Sequence, residues 1–150
     1  MRVLVSACLL GENCRYDGRA KPHAEVIKLK DHFECIPICP EQIGGLPTPR
    51  PPAERQGDCV INQVGADVSA FYFRGARKAY ELCKRLNINA AILKEGSPSC
   101  GCHQIYDGSF SKRKTKGMGV TAELLESAGI YVFSEDEIEL FFAFAKDAEH

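Results

Sequence analysis

Short apolar runs alternate with helical patterns along the sequence, and this alternation constrains the fold more than any other feature. Four runs rich in aliphatic and β-branched residues predict strands at residues 2–10, 33–39, 89–94 and 130–133. Segments with apolar residues three or four positions apart follow them and predict helices at residues 22–30, 69–86, 121–128 and 134–145. This order predicts a three-layer α/β/α domain with a mostly parallel sheet of about four strands and right-handed, Rossmann-like crossovers.

Individual residues refine these predicted elements. Ser69 and Thr121 are the expected N-caps of two helices. Ser134 and Glu137 form a capping box for the last helix. Two apolar stripes are expected to pack in the core: Phe73, Ala76, Tyr80 and Cys83 in one helix, and Ile138, Phe141, Phe142 and Ala145 in the last. The phenylalanine-rich stripe of the last helix could instead face a partner.

Proline and glycine mark the irregular parts of the chain. Pro37 places the second strand at a sheet edge, because proline cannot donate a ladder hydrogen bond. Residues 40–65 are dense in both residue types, which predicts a long loop that is either functional or disordered. Asp107-Gly108 predicts a small hairpin within residues 104–110. The basic run at residues 112–116 is typical of a solvated loop rather than an RNA contact.

Length and charge exclude several classes of function. A chain of 150 residues has the usual size of one domain, so residues 1–150 are expected to fold as a single unit. Lysine and arginine number 19 against 20 aspartate and glutamate, giving a formal net charge of -1. No global field therefore attracts phosphate backbones or anionic lipid, and we expect no nucleic-acid partner.

The N-terminus predicts a cytoplasmic protein. Residues 5–8 resemble a signal cleavage site, but only Val3 and Leu4 remain as an apolar region before them, far too few for a secretory signal. No apolar run approaches the roughly 18 residues of a membrane span. A reducing cytosol disfavours disulfides, so metal ligation or catalysis is the expected use of clustered thiols among the eight cysteines.

Three cysteines follow three of the predicted strands. Cys8 and Cys39 close the first and second strands, and Cys100 lies in the loop after the third. Because ligands of open α/β sheets bind beyond the carboxyl ends of the strands, these thiols are expected to converge. Three thiolates favour zinc or an iron-sulfur cluster, and three ligands leave a coordination position open for substrate. The alternative is that buried cysteines simply fill space behind the strands.

The other cysteines are weaker candidates. Cys35 and Cys83 are expected in the core. Cys14, Cys59 and Cys102 lie in predicted loops, where surface thiols are commoner than ligands. Cys102 is the best reserve ligand among them, because it is two residues from Cys100.

Reactive and charged side chains surround these strand ends. Glu41 follows Cys39-Pro40 and suits acid-base chemistry, although it could be an exposed loop carboxylate. Ser97 and Ser99 could bind a substrate oxygen or merely turn the loop. The candidate substrate-binding cations, each of which could equally be a surface charge, are Arg15, Arg50 and Lys94.

Seven motifs in order resemble the family catalogued as domain of unknown function 523. They are SACLLG at 6–11, CRYDG at 14–18, CPE with GGL at 39–46, the segment from Pro49-Arg50 to Glu54, GADV at 65–68, SPSCG at 97–101 and IYDG at 105–108. The resemblance spans nearly the whole chain. Characterised members of that family are thiouracil desulfidases with an oxygen-sensitive 4Fe-4S cluster held by three cysteines.

The resemblance implies a role for each matching residue. It makes Cys8, Cys39 and Cys100 the cluster ligands and Glu41 the acid-base residue, with Ser97 as a catalytic helper and Ser99 as its reserve. The implied reaction is non-redox hydrolysis of a small thiolated nucleobase, in which an open iron acts as Lewis acid and Glu41 activates water. Protein prepared in air can lack the cluster. The alternatives are cluster-dependent sulfur transfer to an acceptor and a non-catalytic metal-binding module.

Overall fold

The computed structural model describes residues 1–148. The strands are β1 (Arg2–Ser6), β2 (Glu34–Ile38), β3 (Ala53–Gln56), β4 (Cys59–Asn62), β5 (Ala90–Leu93), β6 (Gln104–Tyr106), β7 (Lys114–Lys116) and β8 (Tyr131–Ser134). The α-helices are α1 (Ala24–Ile27), α2 (Pro40–Ile43), α3 (Ser69–Leu86), α4 (Val120–Ser127) and α5 (Ile138–Ala148). Short 3-10 helices at Ala7–Leu10 and Lys28–Asp31 follow β1 and α1.

Four parallel strands form the central sheet, in the order β2-β1-β5-β8. This arrangement confirms the predicted α/β class and its parallel sheet. Pro37 lies in the edge strand β2, as expected of a residue that cannot donate to a second neighbour. The chain passes from β1 to β2 on one side and returns to β5 on the other, so the switch point lies between β1 and β5.

Both faces of the sheet are covered by helices. Val3 and Val5 point to one face and pack with residues of α1 and α5, whereas Leu4 points to the other face and packs with α3 and α4. This alternation follows from the two-residue period of a strand, and all three side chains are fully buried. No helix within residues 1–148 is long and apolar enough to cross a membrane.

The predicted bounds of α3 are confirmed, and Ala76 and Cys83 are buried as expected, but the capping role of Ser69 and the burial of Phe73 are wrong. Ser69 is the first helical residue, and its hydroxyl accepts a hydrogen bond from the Val60 N–H at 2.7 Å, so it ties the helix to β4 instead of capping it. Tyr72 faces the core, whereas Phe73 is 47% exposed. Adjacent aromatic residues fit a helical period equally well, so the pattern alone could not choose between them.

The two C-terminal helices show a similar mixture of outcomes. Thr121 is not the N-cap of α4: it lies buried in the first turn, with its Oγ1 atom 3.0 Å from Ser99 Oγ. The capping box predicted for α5 forms in part, in the turn before the helix: Glu137 accepts the Ser134 N–H at 3.0 Å, but the Ser134 hydroxyl accepts the Asp136 N–H at 3.2 Å. Phe142 does not pack in the core as predicted, since the helix turns it toward solvent.

Two small hairpins lie beside the central sheet. β3 and β4 pair within the proline-rich segment, which has no long regular element but is ordered. β6 pairs with β7, so part of the basic run at residues 112–116 is a strand rather than the expected loop. All three residues of β7 are exposed, and the strand therefore carries no apolar alternation to reveal it.

Candidate active site

A cavity of about 600 Å³ opens beyond the carboxyl ends of β1, β2 and β5. Its walls include Cys8, Cys39 and Cys100, which come from three different strand ends. The parallel sheet brings these residues together although long stretches of sequence separate them. The cavity lies at the switch point of the sheet, where open α/β folds bind their ligands.

Local structure positions each of the three cysteines. Cys8 lies in the 3-10 helix after β1. This helix ends at Gly11, which has a left-handed φ of 98°. Cys39 directly precedes α2. Cys100 lies in a tight turn in which Ser97 Oγ accepts the Cys100 N–H at 3.0 Å.

Cys14 is a fourth thiol in the same cavity. It is only 5% exposed, and its thiol lies close to Cys8 and Cys39. Its carbonyl also accepts a hydrogen bond from the Cys39 thiol at 3.6 Å. By contrast Cys102, the expected reserve ligand, packs in the core beneath the sheet and donates toward the carbonyl of Leu93. Backbone proximity to Cys100 was therefore a poor guide to the direction of this side chain.

In the protein alone, the thiols of Cys14, Cys39 and Cys100 have raised pKa values and are protonated at neutral pH. A hydrogen bond with Cys14 and burial raise the pKa of Cys39 far above its ordinary value. Burial raises the pKa of Cys100 to about 12, although hydrogen bonds with Ser6 and Ser99 oppose it. For Cys14, a hydrogen bond with Cys39 lowers the pKa, but one with Cys8 and burial outweigh it and give about 11. A bound metal centre would displace the protons of the cysteines that ligate it.

The donor set fits an iron-sulfur cluster better than a single ion. Within residues 1–148, no group of three or more histidine, cysteine, aspartate or glutamate side chains could hold one metal ion. A cluster is larger than an ion, and each cysteine binds a different iron of it. Soft thiol donors spread around a cavity of about 600 Å³ therefore suit a cluster.

Glu41 stands on the cavity wall beside the thiols. Its Oε1 atom accepts hydrogen bonds from Arg50 Nε at 3.0 Å and from the Tyr72 hydroxyl at 2.7 Å. Its helix α2 packs closely on α3. The two backbones meet at Gly44 and Gly75, where any side chain would clash with the facing backbone. The helix therefore fixes the backbone of Glu41, and two hydrogen-bond donors fix its carboxyl group.

Arg50 lines the cavity, but its guanidinium is engaged by the protein. Besides Glu41, it donates to the carbonyl of Cys14 at 2.9 Å and to the carbonyl of Pro47 and the hydroxyl of Thr48. Burial alone would lower the pKa of Arg50, but the charge of Glu41 raises it. These bonds use four of the five guanidinium N–H donors, which makes Arg50 mainly a support for the site.

The other predicted polar residues divide between the cavity and the interior. Ser97 lines the cavity. Ser99 is not among the described residues that line it, and its hydroxyl is buried against Thr121. Arg15 and Lys94 also line it. Lys94 forms an ion pair with Glu135 at 3.0 Å, and Arg15 lies over the ring of Tyr16.

Ser6 and Tyr72 are cavity residues that the sequence analysis missed. Ser6 hydrogen-bonds to the Cys100 thiol and accepts the Lys94 N–H at 2.9 Å, so it links the ends of β1 and β5. Its position two residues before Cys8 was the available signal. Tyr72 was missed because the adjacent Phe73 was assigned to the apolar stripe of α3 in its place.

Glu95 organises the loop that carries Cys100. Its Oε1 atom accepts backbone N–H bonds from Gly96, Cys102, His103 and Gln104, at 3.4, 2.8, 2.9 and 3.1 Å. Burial raises the pKa of Glu95, but these donors lower it more, so the carboxyl titrates below its ordinary value of 4.5. The stability it contributes is therefore present above that value and is lost as the pH falls through the folded-state pKa.

Glu95→Ala should destabilise the cluster-free protein by about 3 kcal/mol at neutral pH, because it leaves several backbone donors without an acceptor. Urea unfolding measures this loss, and the exposed Glu139→Ala is the matched control. The gap between wild type and Glu95→Ala should narrow as the pH falls below 4.5. Equal stabilities at neutral pH would contradict the role given to Glu95.

Comparisons with known proteins agree on one family. Residues 3–137 match the sequence profile of the 2-thiouracil desulfurase family. The uncharacterized protein YbbK of Bacillus subtilis (strain 168) is 44% identical over 146 residues, covering 91% of this chain and 97% of YbbK. The solved structure of TudS, a 4Fe-4S-dependent thiouracil desulfidase, superposes with a TM-score of 0.91 and 48% identity, covering 96% of this chain and 97% of that chain.

Proposed function

The chain belongs to the 2-thiouracil desulfurase family, and from this premise we propose that it removes sulfur from a small thiolated nucleobase, such as thiouracil, by hydrolysis. The observation that carries the proposal is one cavity lined by Cys8, Cys39, Cys100 and Glu41. It combines the donors for a sulfur-binding metal centre with a carboxylate that can move a proton. A purely structural metal site does not need the carboxylate, and a partner surface needs neither the carboxylate nor the thiol donors.

The three strand-end cysteines would hold a 4Fe-4S cluster. When bound, such a cluster supplies an iron without a protein ligand, which is a Lewis acid with affinity for sulfur. Cys14 is assigned no ligand role in this proposal, because with three cysteine ligands the fourth iron keeps a coordination position open for substrate. A reducing, cytoplasmic setting suits the eight free thiols.

Glu41 acts as the general base in the proposed reaction. It takes a proton from the water that attacks the ring carbon bearing the sulfur, and later gives that proton to the departing sulfur. Carbon exchanges its bond to sulfur for a bond to oxygen. The second proton of the water passes to solvent as the carbonyl forms, and the sulfur leaves as hydrosulfide with no change of redox state. The product is the oxo base.

Ser97 and the cations orient the substrate. The Ser97 hydroxyl already accepts two backbone N–H bonds, from Ser99 and Cys100, each at 3.0 Å. Both of its lone pairs are therefore used, and its own hydrogen is free to donate to a ring oxygen or nitrogen. Arg15 and Lys94 stand on the same cavity wall, where they can approach the exocyclic oxygen of the base.

Anaerobic turnover of 2-thiouracil by cluster-loaded protein tests the proposal. We expect uracil and free sulfide in equal amounts without any added acceptor. Sulfide release that requires a thiol acceptor would instead support sulfur transfer. Absence of turnover by protein with full iron content would overturn the proposal and leave a non-catalytic metal-binding module.

A further inference from the structure

We propose that Tyr72 is a positioning residue that determines which oxygen of Glu41 faces the substrate, an inference that rests on the proposed function. Tyr72 lies in α3, on a different element from Glu41 and Arg50. It belongs to none of the motifs that carry the family resemblance. Its role follows from how the carboxyl group of Glu41 is held.

Two donors converge on a single oxygen of Glu41. The Tyr72 hydroxyl donates to Oε1 at 2.7 Å, and Arg50 Nε donates to the same atom at 3.0 Å. Within residues 1–148, Oε2 receives no side-chain hydrogen bond, and the Glu41 side chain remains 15% exposed on the cavity wall. Oε2 is thus the oxygen left to accept a proton from water.

Neither donor is free to follow Glu41 if it moves. The ring of Tyr72 is 2% exposed and packs among Val60, Val68, Ala76 and Val120, which fixes the place of its hydroxyl. Arg50 is anchored by its bonds to Cys14 and the 47–48 segment. Two fixed donors from different elements restrict rotation of the Glu41 carboxyl group about its bond to the side chain. A single donor would restrict this rotation less.

The environment also keeps the Tyr72 hydroxyl a donor. Burial, together with the negative charge of Glu41, raises its pKa well above the ordinary value. The phenol therefore stays protonated at neutral pH. It cannot itself remove a proton from water, which leaves orientation of Glu41 as its contribution.

Tyr72→Phe removes the hydroxyl and keeps the buried ring. We expect kcat to fall about 10- to 100-fold through loss of alignment, with KM and iron content little changed. Tyr80→Phe, on the same helix and outside the cavity lining among the described residues, is the matched control and should behave as wild type. A Tyr72→Phe protein with the wild-type kcat would overturn the proposal.

A double-mutant cycle separates positioning from a structural role. Glu41→Asp retracts the carboxyl by one methylene and takes it out of reach of Tyr72. If Tyr72 acts through Glu41, adding Tyr72→Phe to Glu41→Asp should cost nothing further. The same fractional loss in both backgrounds would show that Tyr72 acts by packing or on the substrate directly, and would contradict positioning.

A crystal structure of Tyr72→Phe gives a result that needs no activity. The proposal expects the Glu41 carboxyl to turn from its wild-type position while the backbone of α2 stays in place, and an unchanged carboxyl would overturn it. Failure of the proposed function looks different, because then Glu41→Gln itself would keep full activity. The two failures are therefore distinguishable.

Discussion

Glu41→Gln is expected to lower kcat about 10²- to 10⁴-fold while the protein keeps its fold and its iron. The glutamine carbonyl oxygen can still accept hydrogen bonds from Arg50 and Tyr72, so the local structure persists. The amide cannot take a proton from water, so the attacking hydroxide equivalent is no longer generated. Steady-state kinetics and iron analysis on the same anaerobic preparation measure the two properties together.

Glu12→Gln is the matched control for this experiment, because Glu12 is an exposed carboxylate two residues before Cys14. It should retain the wild-type kcat. A Glu41→Gln enzyme within a few-fold of wild type would remove Glu41 from the chemistry, and with it the main reason for treating this cavity as hydrolytic.

Cys100→Ser is expected to abolish cluster binding, lowering iron from about four atoms per chain to near zero. Cys100 is buried, and a serine hydroxyl is a poor donor for iron compared with a thiolate. Cys8→Ser and Cys39→Ser should give the same result, because each removes one of the three proposed ligands. Iron and acid-labile sulfide analysis after anaerobic reconstitution measures the effect.

Cys14→Ser is the informative comparison, since Cys14 lies in the same cavity and contacts two of the proposed ligands. It should keep its iron, as should the exposed Cys59→Ser. Loss of iron from Cys14→Ser would mean that four thiols hold the cluster. That result would close the coordination position on which the proposed chemistry depends.

Topology made the main site predictable. Cys8, Cys39 and Cys100 are far apart in the sequence, yet each follows a parallel strand, and a parallel sheet places such ends at one edge. Glu41 was identified for the same reason, as it comes just after Cys39. Apolar runs identified the four sheet strands, because buried parallel strands are continuous apolar runs. The first predicted strand, 2–10, was too long, since Ala7–Leu10 is a 3-10 helix.

The rest depended on information that the sequence does not display. Cys14 was expected at the surface, but its loop folds back until the thiol lies against Cys8 and Cys39. Tyr72 was hidden by an adjacent aromatic residue that satisfies the same helical period. Thr121 is a residue type that often caps helices, but α4 packs against the Cys100 loop, so the Thr121 hydroxyl hydrogen-bonds with Ser99. In each case a tertiary contact overrode a local preference.

The central claim is that three cysteines hold a cluster whose remaining iron meets the sulfur of the substrate. The Mössbauer spectrum of protein loaded with iron-57, recorded without oxygen before and after addition of 2-thiouracil, tests this claim most directly. We predict that one quarter of the iron signal changes and the remainder does not, since three irons keep their cysteine ligands. A spectrum unchanged by saturating 2-thiouracil would contradict the account.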